Sequence, residues 1–218
     1  MDKNKIAIFV DFDECLIHGF TTSDNKKPTY AEVKQNFEVS SIDDDGSTYA
    51  IVLRPGAREF LRSLHKITPN VFILTAGLKQ FQTKVAHAIG LMNLVKGLYG
   101  RDSTDVPVYP VCVLIDDMWI KSPNTFRKSK QMGIIDNQTI EKINHGPWSY
   151  TDEQTIADTI AKHHIQIEHF DATNPKDQGF AKVYPLIKPK IDELSKEIKN
   201  TLNEKIVKSF KKKKITIK

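Results

Sequence analysis

Residues 6–18 read IAIFVDFDECLIH, and this stretch decides the fold. Five apolar residues, Ile6 to Val10, precede Asp11 without a charge among them. A short apolar run with β-branched residues that ends at polar ones predicts a buried strand of a parallel sheet. Asp11 and Asp13 follow where this strand ends, and ligands of open α/β sheets bind beyond the carboxyl ends of strands. Carboxylates in that position are suited to binding Mg²⁺, and one of them to attacking a phosphorus atom.

Two later apolar runs repeat this arrangement. Residues 71–74 end at Thr75, and residues 111–115 end at Asp116 and Asp117. A Thr at a strand end, followed by a turn and a helix, can offer its hydroxyl and nearby N–H groups to a phosphate. Strands alternate with helical patterns along the chain, which predicts a doubly wound α/β fold.

These runs resemble motifs of the haloacid dehalogenase (HAD) phosphatases. DFDECL resembles motif I, TAGLKQF resembles motif II, and the paired aspartates after the third strand resemble motif IV. DFDECLIH and RPGAREFLRSL resemble in particular the branch of small C-terminal-domain phosphatases of the RNA polymerase II tail type. Cys15 stands where that branch usually has Thr. The resemblance implies a HAD-like, Rossmannoid parallel sheet with a small β-hairpin insertion after motif I.

The resemblance implies phosphoryl transfer in two steps. Asp11 would attack the phosphorus, and Asp13 would protonate the leaving oxygen and then activate water. Thr75, Ala76 and Arg101 would bind the phosphate. These roles are expectations that the family motifs give to the matching positions of this chain.

The resemblance also implies a Mg²⁺ site. Its ligands would be a carboxylate oxygen of Asp11, the backbone carbonyl of Asp13, and Asp116 or Asp117. The clustered aspartates would otherwise repel one another and the anionic substrate, so we expect activity to depend on Mg²⁺.

One part of the family pattern is not found at its usual place. The family has a motif III Lys or Arg upstream of the motif IV strand, but no Lys or Arg lies between Asp102 and Ile115. Arg101 is the nearest candidate for this cation, followed by Lys96 or by Lys121 beyond motif IV. Without such a cation the rate of phosphoryl transfer should suffer.

The chain is expected to form one catalytic domain over residues 1–187. Within it, residues 19–54 would hold the hairpin insertion, because alternating arms flank Asp45-Gly46. Residues 98–102 read as a turn, and residues 118–150, with both tryptophans, as an irregular, lid-like segment. Residues 188–218 would form a C-terminal helix and a basic tail.

Charge is spread unevenly along the chain. Residues 188–218 hold eleven lysines against four acidic residues, a balance of +7, which leaves −2 of the total +5 for residues 1–187. The tail is therefore suited to an acidic partner, a nucleic acid or an anionic membrane, or it serves as a solubilising end.

Composition excludes several classes of protein. The chain has no apolar run near 18 residues, and MDKNK leads directly into a strand, so we expect neither a transmembrane helix nor a signal peptide. Its two cysteines are far apart and make no disulfide framework. We expect a cytoplasmic location, with delivery into another cell left open.

The resulting hypothesis is a Mg²⁺-dependent phosphatase of phosphorylated Ser/Thr or Tyr side chains. The branch carries no large cap, so a peptide can reach its site. Two alternatives stay open. One is a HAD phosphatase of a small metabolite or a nucleic-acid end. The other is a catalytically weak phosphate-binding or interaction module with a basic tail.

Overall fold

The computed structural model describes residues 2–23, 29–135 and 150–215, with side chains of the last range described from 153 to 204. The regular elements are, in chain order, β1 (Ile6–Val10), β2 (Ile17–Thr21), α1 (Tyr30–Asn36), β3 (Val39–Asp44), β4 (Ser47–Leu53), α2 (Ala57–Leu64), β5 (Val71–Leu74), α3 (Lys79–Ala88), β6 (Gly97–Tyr99), β7 (Val111–Asp116), α4 (Pro123–Gln131), α5 (Tyr150–His163), β8 (His164–Gln166) and α6 (Gly179–Ile215).

The central sheet has the parallel order β6-β5-β1-β7-β8. The three apolar runs of the sequence are its three inner strands, and every residue in them is buried. Pairing of Val10 with both Ile73 and Ile115 brings the three strand ends to the same edge. Apolar side chains cover both faces of the sheet, as a doubly wound fold requires. The predicted fold class is therefore confirmed.

A smaller antiparallel sheet lies within residues 17–53. Its order is β2-β4-β3, and β3 and β4 are joined by the Asp45-Gly46 turn. Both turn residues have positive φ, 51° and 74°, which Asp and Gly tolerate well and most residues do not. The predicted hairpin is confirmed. β2 adds a third strand, and helix α1 is capped reciprocally by Thr29 and Glu32.

Two segments differ from the prediction. Residues 97–99, partly expected as a turn, form the edge strand β6 paired to β5, since three residues are too few to show a sequence period. The segment 118–150 was expected to be irregular but contains helix α4, which begins with a Ser122 cap and Pro123 in the first turn. Its remaining part, 136–149 with Trp148, lies outside the described residues.

The C-terminal helix α6 begins within the catalytic domain. It starts at Gly179, continues through Pro185 and Pro189, and buries Val183, Ile187, Ile191 and Leu194 in the main core. The boundary predicted at residue 187/188 therefore falls inside a helix that the core requires. Among the described residues, no helix is both long and apolar enough to span a bilayer.

Candidate active site

The polar ends of β1, β5 and β7 form the candidate site. Asp11, Thr75 and Asp116 are buried side by side because these strands are neighbours and run parallel. The backbone extends the sheet to this edge, since Asp11 N–H donates to Ile115 O at 2.8 Å and Thr75 N–H to Tyr99 O at 2.9 Å. The sequence predicted these residues at one edge, and the structure brings them together.

A lysine from α4 neutralises this edge. The Nζ atom of Lys128 lies 2.8 Å from Oδ1 of Asp11 and 2.8 Å from Oδ2 of Asp116. The Lys128 and Asp116 side chains have no exposed surface, and that of Asp11 is 5% exposed. The contact to Asp116 is a hydrogen bond, whereas the contact to Asp11 lacks hydrogen-bond geometry. Oδ1 of Asp11 is thus buried without a hydrogen-bond partner among the described residues.

Burial and charge act against each other in this cluster. Burial raises the pKa of Asp11 well above its usual value, and neighbouring Lys128 opposes that shift while Asp116 adds to it. Burial also disfavours the charged form of Lys128, but Asp11 and Asp116 outweigh it and raise the lysine pKa. Lys128 therefore stays protonated at neutral pH and supplies a fixed positive charge.

Asp13 is held by two side chains. Thr75 Oγ1 donates to Oδ2 of Asp13 at 2.9 Å, and Gln82 Nε2 donates to both carboxylate oxygens at 3.0 and 3.1 Å. The Thr75 hydroxyl also accepts from the Gly77 N–H at 2.9 Å. In this structure Thr75 positions Asp13, and its contact to phosphate stays a prediction. Ala76 lies half-buried in the turn between β5 and α3.

Gln82 was not predicted as a site residue. It is buried on the core-facing side of α3, together with Val85 and Ala86. A polar residue three positions before Val85, on an otherwise apolar face, is the signal that could have identified it.

The metal prediction fits the residues present. Asp11, Asp116 and Asp117 each offer a carboxylate oxygen, and these atoms lie within 4.8 Å of one another. Oxygen donors are what Mg²⁺ prefers, and Oδ1 of Asp11 accepts no hydrogen bond among the described residues, although it is paired with the Lys128 ammonium. The Asp13 side chain is bound by Thr75 and Gln82, and ligation by its backbone carbonyl, which the family resemblance implies, stays a prediction.

The carboxylates of this cluster are oriented by further contacts. Asp116 Oδ1 accepts from the Met118 N–H at 3.0 Å, and Asp117 Oδ2 lies 2.9 Å from His169 Nδ1. Outer contacts of this kind fix the direction of metal-binding side chains.

The predicted substitutes for the motif III cation do not occupy its place. Lys96 contacts Asn70 Oδ1 at 2.7 Å, and both residues precede their strands, which puts them at the opposite edge of the sheet. Lys121 pairs with Glu153 at 3.4 Å. Arg101 is exposed beyond β6, although its N–H donates to Gly77 O at 2.9 Å. Among the described residues, Lys128 is the lysine whose ammonium contacts Asp11 and Asp116. The sequence analysis missed it because α4 carries no apolar stripe to show its inward face.

Cys15 is packed beneath the site and is not a second nucleophile. It is fully buried, and burial followed by the charge of Asp11 raises the pKa of its thiol well above the usual value. A protonated thiol is a poor nucleophile. Its role at the usual Thr position is therefore to fill the turn, whose carbonyl accepts from Arg54 Nη1 at 3.1 Å.

The fold and this acidic edge define a HAD-like α/β protein with a small antiparallel insertion. The chain belongs to the NLI interacting factor-like phosphatase family, whose model matches residues 6–147. That match begins with β1 and extends past α4, so it includes Asp11, Asp13, Thr75, Asp116 and Lys128.

Two solved structures show similarity to this chain. One is Fcp1, an essential RNA polymerase II CTD phosphatase, with 18% identity over 86% of this chain and 62% of that chain, at a TM-score of 0.48. The other is a substituted form of the fission yeast enzyme Fcp1 bound to beryllium fluoride, with 18% identity over 93% and 66% of the two chains and the same TM-score. This chain thus spans less than two thirds of either structure. No curated protein matches it.

Proposed function

We propose that this protein is a Mg²⁺-dependent phosphatase that acts through an aspartyl phosphate on Asp11 and hydrolyses phosphorylated protein side chains. The observation that carries the proposal is the buried Asp11–Lys128–Asp116 cluster beside Asp13, in a chain of a phosphatase family. It combines a nucleophile, a fixed cation and a second carboxyl group at one edge of the sheet.

In the first step, a carboxylate oxygen of Asp11 forms a bond to phosphorus. The bond between phosphorus and the leaving oxygen breaks with its electron pair, and protonated Asp13 donates its proton to that oxygen. The hydrogen bonds from Thr75 and Gln82 hold the Asp13 carboxyl group in a single orientation for this transfer.

In the second step, Asp13 accepts a proton from water as the water oxygen attacks phosphorus. The bond between phosphorus and the Asp11 oxygen breaks, which releases inorganic phosphate and regenerates the Asp11 carboxylate. Lys128 offsets the charge of Asp11 and Asp116 throughout, because its ammonium contacts both.

Mg²⁺ would be held by Asp11, Asp116 and Asp117, with the backbone carbonyl of Asp13 as a further ligand. It would supply a Lewis acid for a phosphoryl oxygen and additional positive charge among the carboxylates. Such a charge would also oppose the effect of burial on Asp11 and favour the ionised nucleophile.

A protein substrate is favoured by family membership and by the small size of the insertion. The described part of the insertion is a three-stranded sheet with one short helix. The alternative of a weak interaction module rested on a missing cation and on the basic tail. The contact of Lys128 with Asp11 supports the enzyme over this module, and turnover tests the choice. The alternative of a metabolite or a nucleic-acid end remains for experiment.

The test is hydrolysis of p-nitrophenyl phosphate with and without Mg²⁺, in wild type and Asp11→Asn. Asp45→Asn is the matched control, because Asp45 lies exposed at the hairpin turn and Asn tolerates its positive φ. We expect Mg²⁺-dependent turnover that Asp11→Asn abolishes and Asp45→Asn retains. Full turnover in excess chelator, or in Asp11→Asn, would contradict the mechanism.

Substrate class requires a second experiment. Phosphoserine, phosphothreonine and phosphotyrosine peptides should be compared with sugar phosphates and nucleotides by kcat/KM. Preference for peptides supports the protein phosphatase, whereas preference for a small phosphate selects the metabolite or nucleic-acid alternative.

A further inference from the structure

Lys128 is committed to the protein's own carboxylates. Its side chain has no exposed surface and lies between Asp11 and Asp116. Asp13 and Asp117 lie at the same edge of the sheet, so this edge holds four carboxyl groups, and a phosphate monoester adds further negative charge. A substrate phosphate therefore needs positive charge from another side chain as well as from Mg²⁺.

Arg127, the neighbour of Lys128 on α4, carries unused hydrogen-bond donors. Its side chain is half-buried, and its Nε and Nη2 atoms are buried with no partner among the described residues. The guanidinium lies near enough to Asp11 and Asp116 to interact with both charges. Buried donors without acceptors cost free energy, and a ligand whose oxygens accept from them would remove that cost.

The rest of this helix face places Arg127 beside the Arg101 loop. Gln131 lies one helical turn further on, and its Nε2 donates to Gly100 O at 3.1 Å and Ser103 O at 3.0 Å. Arg127 and Arg101 are close enough to repel, and after burial this repulsion is the largest influence that lowers the pKa of Arg127. Two guanidinium groups that repel each other are both stabilised when an anion lies between them.

The free edge of Arg127 has the geometry of an anion fork. Nε and Nη2 are the pair through which Arg54 binds Asp177 in this same protein, at 2.7 Å to Oδ1 and 3.0 Å to Oδ2. Two parallel N–H donors of one guanidinium match two oxygens of a carboxylate or a phosphate. In Arg54 this edge is filled from within the chain, and in Arg127 no described residue fills it.

We propose that Arg127 is the substrate-binding arginine of this site and that its Nε–Nη2 edge binds two oxygens of the substrate phosphate, with Arg101 as the outer partner. The proposal rests on the proposed function, because it assigns a residue to the same phosphate. In this proposal the two neighbouring residues of α4 have different roles. Lys128 offsets the charge of the nucleophile, and Arg127 binds the substrate phosphate.

The test is a direct binding measurement with inorganic phosphate as the probe. Its dissociation constant should be measured by calorimetry, with Mg²⁺ in excess, for wild type, Arg127→Gln and Arg127→Lys. Lys130→Gln is the matched control, because Lys130 is an exposed lysine of the same helix. Arg62→Lys, at an exposed position of α2, controls for the exchange of arginine for lysine.

We expect Arg127→Gln to bind phosphate about tenfold to a hundredfold more weakly, the usual effect of losing charge-assisted hydrogen bonds. Arg127→Lys should also weaken binding, since it keeps the charge and loses the fork. With p-nitrophenyl phosphate, KM should rise more than kcat falls, because a ground-state contact is removed. Both controls should match wild type.

Phosphate binding within twofold of wild type in both Arg127 variants would overturn the proposal, and so would a wild type that binds no phosphate. If Arg127→Gln does not fold, the phosphate dissociation constant of Arg127→Lys decides the test. Failure of the phosphatase mechanism is a separate result, because it is read from turnover by Asp11→Asn, whereas phosphate affinity is measured without turnover.

Discussion

Lys128 Nζ lies 2.8 Å from Oδ1 of Asp11, although β5, β6 and β7 all lie between these two residues in the sequence. Neither side chain is more than 5% exposed. The same ammonium lies 2.8 Å from Asp116. The charge of the candidate nucleophile is therefore offset by a lysine of α4, the helix that follows β7, and not by a residue that precedes β7 in the sequence.

Lys128→Met should lower both stability and activity. It leaves two buried carboxylates without their cation, and breaking a buried ion pair by removing one partner costs about 3–5 kcal/mol. Loss of a charge that stabilises a transition state reduces kcat by roughly a hundredfold to a thousandfold. Denaturant unfolding and p-nitrophenyl phosphate hydrolysis measure the two effects. Lys130→Met, an exposed position on α4, should change neither, and equal effects of both variants would argue against a special role for Lys128.

Gln82→Leu should reduce kcat by roughly tenfold to a hundredfold, the range expected for loss of hydrogen bonds to a charged group. Gln82 Nε2 donates to both oxygens of Asp13, and without it Thr75 is the remaining described side chain that donates to that carboxyl group. Steady-state kinetics should show little change in KM. Gln80→Leu removes an exposed glutamine of the same helix and serves as the control. Unchanged kcat in Gln82→Leu would mean that Thr75 is sufficient.

Gly100→Ala should lower the free energy of unfolding of the protein by about 1–3 kcal/mol, the usual effect of overpacking. A Cβ at Gly100 would collide with the backbone N of Lys79 and the backbone O of Gly77, which belong to the turn after Thr75. Gly97→Ala is the matched control, because its Cβ would meet only the Tyr99 side chain, at 3.4 Å. The melting temperature and kcat/KM should fall for Gly100→Ala alone, and a fall of equal size in both variants would count against the backbone collision.

Asp177→Asn should destabilise the protein in a pH-dependent way. Burial acts to raise the pKa of Asp177, but hydrogen bonds from Arg54 and Gly179 and the Arg54 charge outweigh it and lower that pKa. A lowered folded-state pKa gives stability that is present above the unfolded value of about 3.9 and is lost as pH falls through the folded value. The variant should therefore be roughly 3 kcal/mol less stable near neutral pH and approach wild type in acid.

Denaturant unfolding at several pH values tests this dependence. Asp192→Asn is the control, because its pair with Lys188 is exposed and such pairs contribute less than about 1 kcal/mol. A destabilisation by Asp177→Asn that persists unchanged below the folded-state pKa would show that the effect is not electrostatic.

Local patterns of the sequence were sufficient for most of the fold. The inner strands were predicted because continuous apolar runs followed by polar residues mark strands buried on both faces. The hairpin was predicted because Asp45-Gly46 joins alternating arms. The edge strand β6 and helix α4 were not predicted, since one is three residues long and the other buries a polar face. Neither has the apolar period on which such predictions depend.

The sequence by itself determined that Asp11, Asp13, Thr75 and Asp116 lie at strand ends. The parallel sheet that it predicted brings the carboxyl ends of its strands to one edge. Only the tertiary structure decided which cation serves them. Lys128, Arg127 and Gln82 lie on helices whose rotation against the sheet depends on packing of the whole chain. A lysine or arginine in a polar helix has the same local pattern whether it faces solvent or a buried aspartate, so its charge acquires a role only when the core fixes its direction.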